Sequence, residues 1–130
     1  MESLEAGDLV IEVQAATPPE PMRLVWRGKS NERNPAQLLG PFFAKAIEEA
    51  TALGVAIEMR FEALDHFNSS TITSLIQLIQ DCRRTGTHLV VVYDARVKWQ
   101  RLSFEALRVF SKGDGLLELR AHSSGAESAA

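Results

Sequence analysis

A mixed α/β sheet with its helices packed mainly on one face is the fold this sequence predicts, and three observations predict it. The chain opens on two runs that alternate with a period of two, the signature of half-buried strands. From residue 36 onward such runs alternate with segments of helical spacing, the order of β-α-β units and parallel pairing. The clearest strand keeps a polar side along its length, whereas a strand covered on both faces would read as a continuous apolar run. The expected order is β-β-α-β-α-β-α-β.

Leu9, Ile11 and Val13 alternate with Val10, Glu12 and Gln14 in the first strand. Thr17-Pro18-Pro19-Glu20-Pro21 ends it, because proline cannot donate to a sheet ladder. Met22, Leu24 and Trp26 alternate with Arg23, Val25 and Arg27 in a second strand, expected to pair antiparallel with the first. Gly28 to Pro35 is polar and turn-rich, hence a loop. A helix begins near Ala36, with Pro41 near its start or at a break. Its apolar stripe is Phe43, Ile47, Ala50 and Leu53, and Gly54 stops it. Val55, Ile57, Met59, Phe61 and Ala63 face one way along a strand that runs to Leu64. Asp65 to Ser70 reads as a loop. Ile72, Leu75, Ile76, Ile79 and Cys82 or Arg83 then follow helical spacing, with Arg83-Arg84 and Gly86 at the end. Leu89 to Tyr93 is a buried strand and Asp94 to Leu102 a loop. Ser103 caps a helix whose apolar face is Phe104, Leu107 and Phe110. Gly113-Asp114-Gly115 turns the chain into a last strand, Leu116 to Ala121. Residues 1–122 are expected to form one domain. Residues 123–130, small, polar and aperiodic, are expected to be a flexible tail.

The 130 residues carry 14 Lys and Arg against 17 Asp and Glu, a net charge of -3, and the pI is near 5.6. That balance argues against nucleic acid and against an anionic membrane surface as partners. No apolar run approaches the roughly 20 residues that span a bilayer. Met1 to Asp8 is acidic and lacks an apolar core, so no secretory leader is expected and the sequon Asn68-Ser69-Ser70 is expected to stay unglycosylated. The one cysteine, Cys82, forms no disulfide framework and suits a reducing cytoplasm.

Phe67-Asn68-Ser69-Ser70-Thr71-Ile72 is the most informative segment. It lies where a parallel strand hands over to a helix, the crevice in which open α/β sheets place functional groups. A helix start offers free backbone N–H groups and the positive end of a dipole. A phosphate added there brings about -1.5 to -2 charges at neutral pH. The helix accommodates that charge, while a partner surface matched to a neutral hydroxyl does not. The plainer reading makes Ser69 or Ser70 an ordinary N-cap.

This layout resembles the STAS domains of anti-sigma-factor antagonists. Those carry an Asp-Ser-Ser/Thr-Gly element at the same kind of junction, phosphorylated on the serine after the aspartate. In that resemblance Asn68 stands at the aspartate, Ser69 at the modified serine and Ser70 at the next hydroxyl. Asn68 and Thr71 depart from the aspartate and the glycine. A closer resemblance is to the SiaC-like regulatory phosphoproteins, a STAS-like group that pairs Gly-x-Ser with Asn-Ser/Thr-Ser at a helix start. Here these are Gly28-Lys29-Ser30 and Asn68-Ser69-Ser70. The resemblance runs from about Met22 to Leu119. It implies a non-catalytic, cytoplasmic bacterial regulator with a Ser/Thr kinase, a phosphatase and an effector such as a cyclase or an anti-sigma factor. Ser69, then Ser70, is the expected phosphorylation site. Asn68, Ser69, Ser70, Thr71 and Thr73 are the expected partner contacts.

Lys98-Trp99-Gln100-Arg101 places an aromatic between two cations in an expected loop. Lys98, Trp99 and Arg101 are therefore further candidate contacts, since exposed Trp and Arg favour binding hot spots. The alternative has Trp99 tucked under the following helix. Gly28-Lys29-Ser30 lacks the first glycine of a phosphate loop, and a polar loop follows it, so it reads as a turn. Asp65, His66 and Ser69 are near in sequence but form no nucleophile elbow. The scattered histidines and single cysteine have no metal spacing. No cofactor and no enzymatic activity are expected. The second reading is an unphosphorylated scaffold or structural subunit of a signalling complex.

Overall fold

The computed structural model describes residues 1–122. The expected tail at 123–130 lies outside the described residues. The elements run β1 (Leu4–Ala6), β2 (Leu9–Gln14), β3 (Met22–Ser30), α1 (Ala36–Leu53), β4 (Ile57–Arg60) and β5 (Leu64–Phe67). Then come α2 (Ser69–Thr85), β6 (Leu89–Asp94), α3 (Lys98–Ala106) with a 3-10 turn at Leu107–Phe110, and β7 (Leu117–His122). All strands join one mixed sheet ordered β1-β2-β3-β4-β6-β7, with β5 also on β3. The β1–β2 and β2–β3 pairs are antiparallel, and every later pair is parallel.

One sheet face carries the core. Ile11, Leu24, Trp26, Ile57, Met59, Leu89, Val91 and Tyr93 project to it at two-residue spacing. All three helices close over it with Leu39, Phe43, Ala46 and Ile47, with Leu75, Leu78, Ile79 and Cys82, and with Phe104. Trp26 is fully buried between Phe43 and Phe61, and its indole N–H points at the Met59 sulfur, 3.1 Å away. Aromatic packing of this kind adds about 0.5–1.5 kcal/mol per pair beyond the area it buries. The opposite face holds ion pairs. Arg23 Nε and Arg60 Nε both donate to Glu58 Oε2, at 3.0 and 2.9 Å, and Arg27 meets Glu12 at 2.7 Å. This is the polar side foreseen from the alternation at residues 55–64.

Several elements differ from the sequence expectation, each for a physical reason. β1 is too short to show a period, and it forms because the turn at Gly7-Asp8 folds it onto β2. The long strand expected to reach Leu64 breaks after Arg60. A tight turn, Leu64 N–H to Phe61 C=O at 3.0 Å, sends β5 along the far end of β3. Ala63 is consequently exposed in the turn, and Asp65 to Phe67, read as loop, is strand. α1 runs unbroken through Pro41, with Leu53 exposed at its end and Leu39, Phe42 and Ala46 added to its buried stripe. α3 begins at Lys98, so Ser103 lies inside the helix and caps nothing.

Cys82 is buried, and burial, with Asp81 beside it, pushes its thiol pKa up to about 12. Thiolate is the reactive form. A thiol reagent at pH 8 is expected to label the folded chain at least a hundredfold more slowly than the chain in denaturant. Equal rates would show that α2 opens freely.

Candidate functional site

Gly28 builds the site from below. Its φ is +84°, and a Cβ there would sit 2.0 Å from the Asp8 carbonyl oxygen. Only glycine allows both the backbone conformation and that approach. The β3–β5 ladder is irregular here: Gly28 stands opposite Leu64 and Lys29 opposite His66, so Asp65 is the extra residue of a bulge, while Lys29 N–H donates to Asp8 C=O at 3.1 Å. Gly28-Lys29-Ser30 is thus strand, not the expected turn. Its continuation delivers Ser30 to the start of α2.

Ser30 and Thr71 are both buried, with their hydroxyl oxygens 2.6 Å apart. Thr71 Oγ1 lies 2.8 Å from Asn68 Oδ1 and 3.4 Å from the Ser30 carbonyl. Its single proton therefore goes to Asn68, and Ser30 donates to Thr71. Asn68 Oδ1 also accepts the Thr71 backbone N–H at 2.9 Å, which makes Asn68 the N-cap of α2. Asn68 Nδ2 donates to the Glu32 carbonyl, and Asn68 N–H donates to the Ser30 carbonyl. Ser30, Thr71 and Asn68 thereby tie together β3, the loop before α1, and the start of α2.

This network assigns the cap to Asn68 and leaves Ser69 and Ser70 in the first turn, both exposed. The N-cap reading of those serines gives way, because the longer Asn68 side chain already satisfies the Thr71 amide. Thr73 is exposed, and its hydroxyl donates to the Ser69 carbonyl at 3.2 Å. Thr71, expected among the contacts, is fully buried and lies beneath the surface as a positioning residue.

The second candidate cluster lies on the first turn of α3. Lys98 is exposed. Trp99 is half-buried, packed edge-on against Phe67 with ring centres 5.0 Å apart. Phe67 immediately precedes Asn68, so Trp99 and the serine turn belong to one end of the molecule. Arg101 turns inward, with Nη1 donating to the Ala95 carbonyl at 2.9 Å. In the same loop Arg96 hydrogen-bonds Asp94 and holds its carboxyl below the usual range.

Ser30 and Gln100 are the site residues that sequence reasoning missed. Gln100 is buried. Its Nε2 donates to the Phe61 and Leu64 carbonyls at 2.8 and 3.1 Å, and its Oε1 accepts Asp94 N–H at 2.8 Å. It clamps the turn that aims β5 at Asn68. No periodic signal marks such a residue. The one legible hint for Ser30 is its place in the Gly-x-Ser pattern.

Among the described residues no group of His, Cys, Asp and Glu could hold a metal, and no helix is long and apolar enough to cross a membrane.

No family model and no curated protein matches the chain. Solved structures do. One is from the complex of the diguanylate cyclase SiaD with its activator SiaC, from Pseudomonas aeruginosa. Its TM-score is 0.62 at 18% identity, over 92% of this chain and 98% of that one. Another is an uncharacterized DUF3478-family protein with a SpoIIAA-like fold, from Shewanella loihica. Its TM-score is 0.55 at 12% identity, over 97% of this chain and 96% of that one. At these identities the likeness establishes the fold, which is STAS-like.

Proposed function

We propose that this chain is a non-catalytic signalling module whose binding to a protein partner is switched by phosphorylation of Ser69, with Ser70 as the second acceptor. The observation that carries the reading is the division of labour at the start of α2. Asn68 caps the helix and anchors to Ser30 and Thr71, so the Ser69 and Ser70 hydroxyls stand exposed with no capping duty. A phosphate on either adds charge where the helix dipole favours it, so the fold persists while the surface changes sign. Solved neighbours include an activator–cyclase complex. A cyclase-type effector, served by a kinase and a phosphatase in the cytoplasm, is therefore the partner set this reading adopts. Lys98 and Trp99 extend the contact surface from α3.

Intact mass and fragmentation of the chain from its native cell should show one phosphate on Ser69. Ser69→Asp should keep unfolding stability within about 0.5 kcal/mol of wild type. It should weaken binding to the effector recovered with the wild-type chain by tenfold or more, about 1.4 kcal/mol. Unmodified native protein, together with equal effector binding by Ser69→Asp, would leave a permanently unmodified subunit instead.

A further inference from the structure

Between α1 and α2, beside the serine turn, lies a cleft of about 380 Å³. Phe43 and Leu78, both buried, line it from beneath; Gly40 lines one wall, and Ser70 and Asp81 the other. Arg33 lines it from the loop before α1. Glu32, the neighbour of Arg33, accepts the Asn68 amide at 2.9 Å, so Arg33 and Ser70 belong to the same end of the groove. Gly40 keeps the wall low: a Cβ added there meets nothing within 4 Å.

The charges along the groove are unequal. Asp81 is engaged by Gln77 at 3.0 Å and by Arg84 at 2.8 Å. Arg33 makes no ion pair among the described residues. Ser70 adds a hydroxyl in the first turn of α2, where the dipole is positive. The groove therefore offers an apolar floor with a cationic end. Arg33, Gly40, Ser70 and Gln77 are all exposed, so the cleft is an open trough. An open trough leaves its occupant exposed along one side, as a segment of a larger partner would be. The cleft's volume, about 380 Å³, has room for a bulky side chain together with part of the chain that carries it.

We propose that this cleft docks a segment of the protein partner that presents a bulky apolar side chain with a carboxylate beside it, the carboxylate meeting Arg33 and Ser70. Ser70 also makes the cleft sensitive to modification. A dianion on Ser70 occupies Arg33 and repels the incoming carboxylate. That gating clause rests on the phosphorylation reading; the docking clause does not.

The test uses 3-phenylpropanoate as the probe and its uncharged analogue, 3-phenylpropanol, followed by amide NMR shifts on the whole chain. The carboxylate should produce saturable shifts centred on Gly40, Phe43, Ser70 and Leu78, and bind at least fivefold more tightly than the alcohol. Arg33→Gln should erase that preference. Gly40→Leu should abolish binding of both, and Gln77→Trp serves as a second plug from the other wall should the first variant misfold. Ser70→Asp should weaken the carboxylate at least fivefold and spare the alcohol. No shifts at the cleft, equal binding of the two probes, or binding that survives both plugs would overturn the docking clause. Concentration-dependent shifts of the same residues without probe would overturn it in favour of a second copy of this chain. An unchanged Ser70→Asp profile would overturn the gating clause. Absence of phosphate in the native chain would overturn the switch reading and leave the probe result standing.

Discussion

Replacing Gln100 by alanine is expected to destabilise the chain by about 3 kcal/mol, the sum of three buried hydrogen bonds lost at about 1 kcal/mol each. Their backbone partners are the Phe61 and Leu64 carbonyls and the Asp94 amide, at 2.8, 3.1 and 2.8 Å. Urea unfolding reads the total. A second variant separates hydrogen bonding from packing. Gln100→Glu keeps the acceptor for Asp94 N–H but sets a carboxylate oxygen against two carbonyl oxygens. Its ionised form is disfavoured in the fold, so its folded pKa lies above the unfolded value near 4.3. The variant's stability is then fully present below about pH 4 and is lost as pH rises through the folded pKa. A Gln100→Glu chain as stable at pH 7 as at pH 4, relative to wild type, would show that the clamp does not bear on the β4–β5 turn.

Gly28→Ala is the second large effect, expected at about 3 kcal/mol. The left-handed backbone conformation costs a residue with a Cβ about 1–2 kcal/mol, and the rest comes from moving the Asp8 carbonyl out of contact. For a chain of this length that corresponds to a fall in melting temperature of about 12 °C. The loss should appear at the site as well as globally. Ser30 lies two residues beyond Gly28, and its register with Phe67 sets the 2.6 Å contact to Thr71. Hydrogen exchange at the Asn68 and Thr71 amides should therefore quicken more than at Met59 or Val91 in the core strands. A uniform change across the sheet would mean that Gly28 does not control the start of α2. Ser30→Ala, which keeps the backbone and removes only the donor, should loosen the same amides with a smaller global cost of about 1 kcal/mol.

The serine turn was legible in the sequence because its cue is local: a hydroxyl pair at a strand-to-helix handover. Its chemistry was legible only in part. Asn68, Ser69 and Thr71 are adjacent in the chain, yet one caps, one is exposed and one is buried. Nothing in their order alone says which does which. That assignment depends on Ser30, which reaches Thr71 from 41 residues away. The α3 start shows the same limit. Lys98-Trp99-Gln100-Arg101 reads as an exposed basic-aromatic run, whereas helix formation from Lys98 turns Gln100 inward and leaves Lys98 exposed. The cleft between α1 and α2 has no counterpart in either helix's own sequence, since it arises from how far apart the two are held.

By itself the sequence determined the alternation of strands and helices, the single covered face of the sheet, the antiparallel opening pair and a hydroxyl pair at one helix start. These follow from residue spacing, and apolar burial acts on spacing wherever the elements come to lie. Only the tertiary structure decided that Asn68 caps, that Thr71 is buried, that position 28 must be glycine and that Gln100 clamps the β5 turn. Each of those roles is a hydrogen bond or a steric contact between residues distant in the chain, and such a partner exists only once the sheet has set the register.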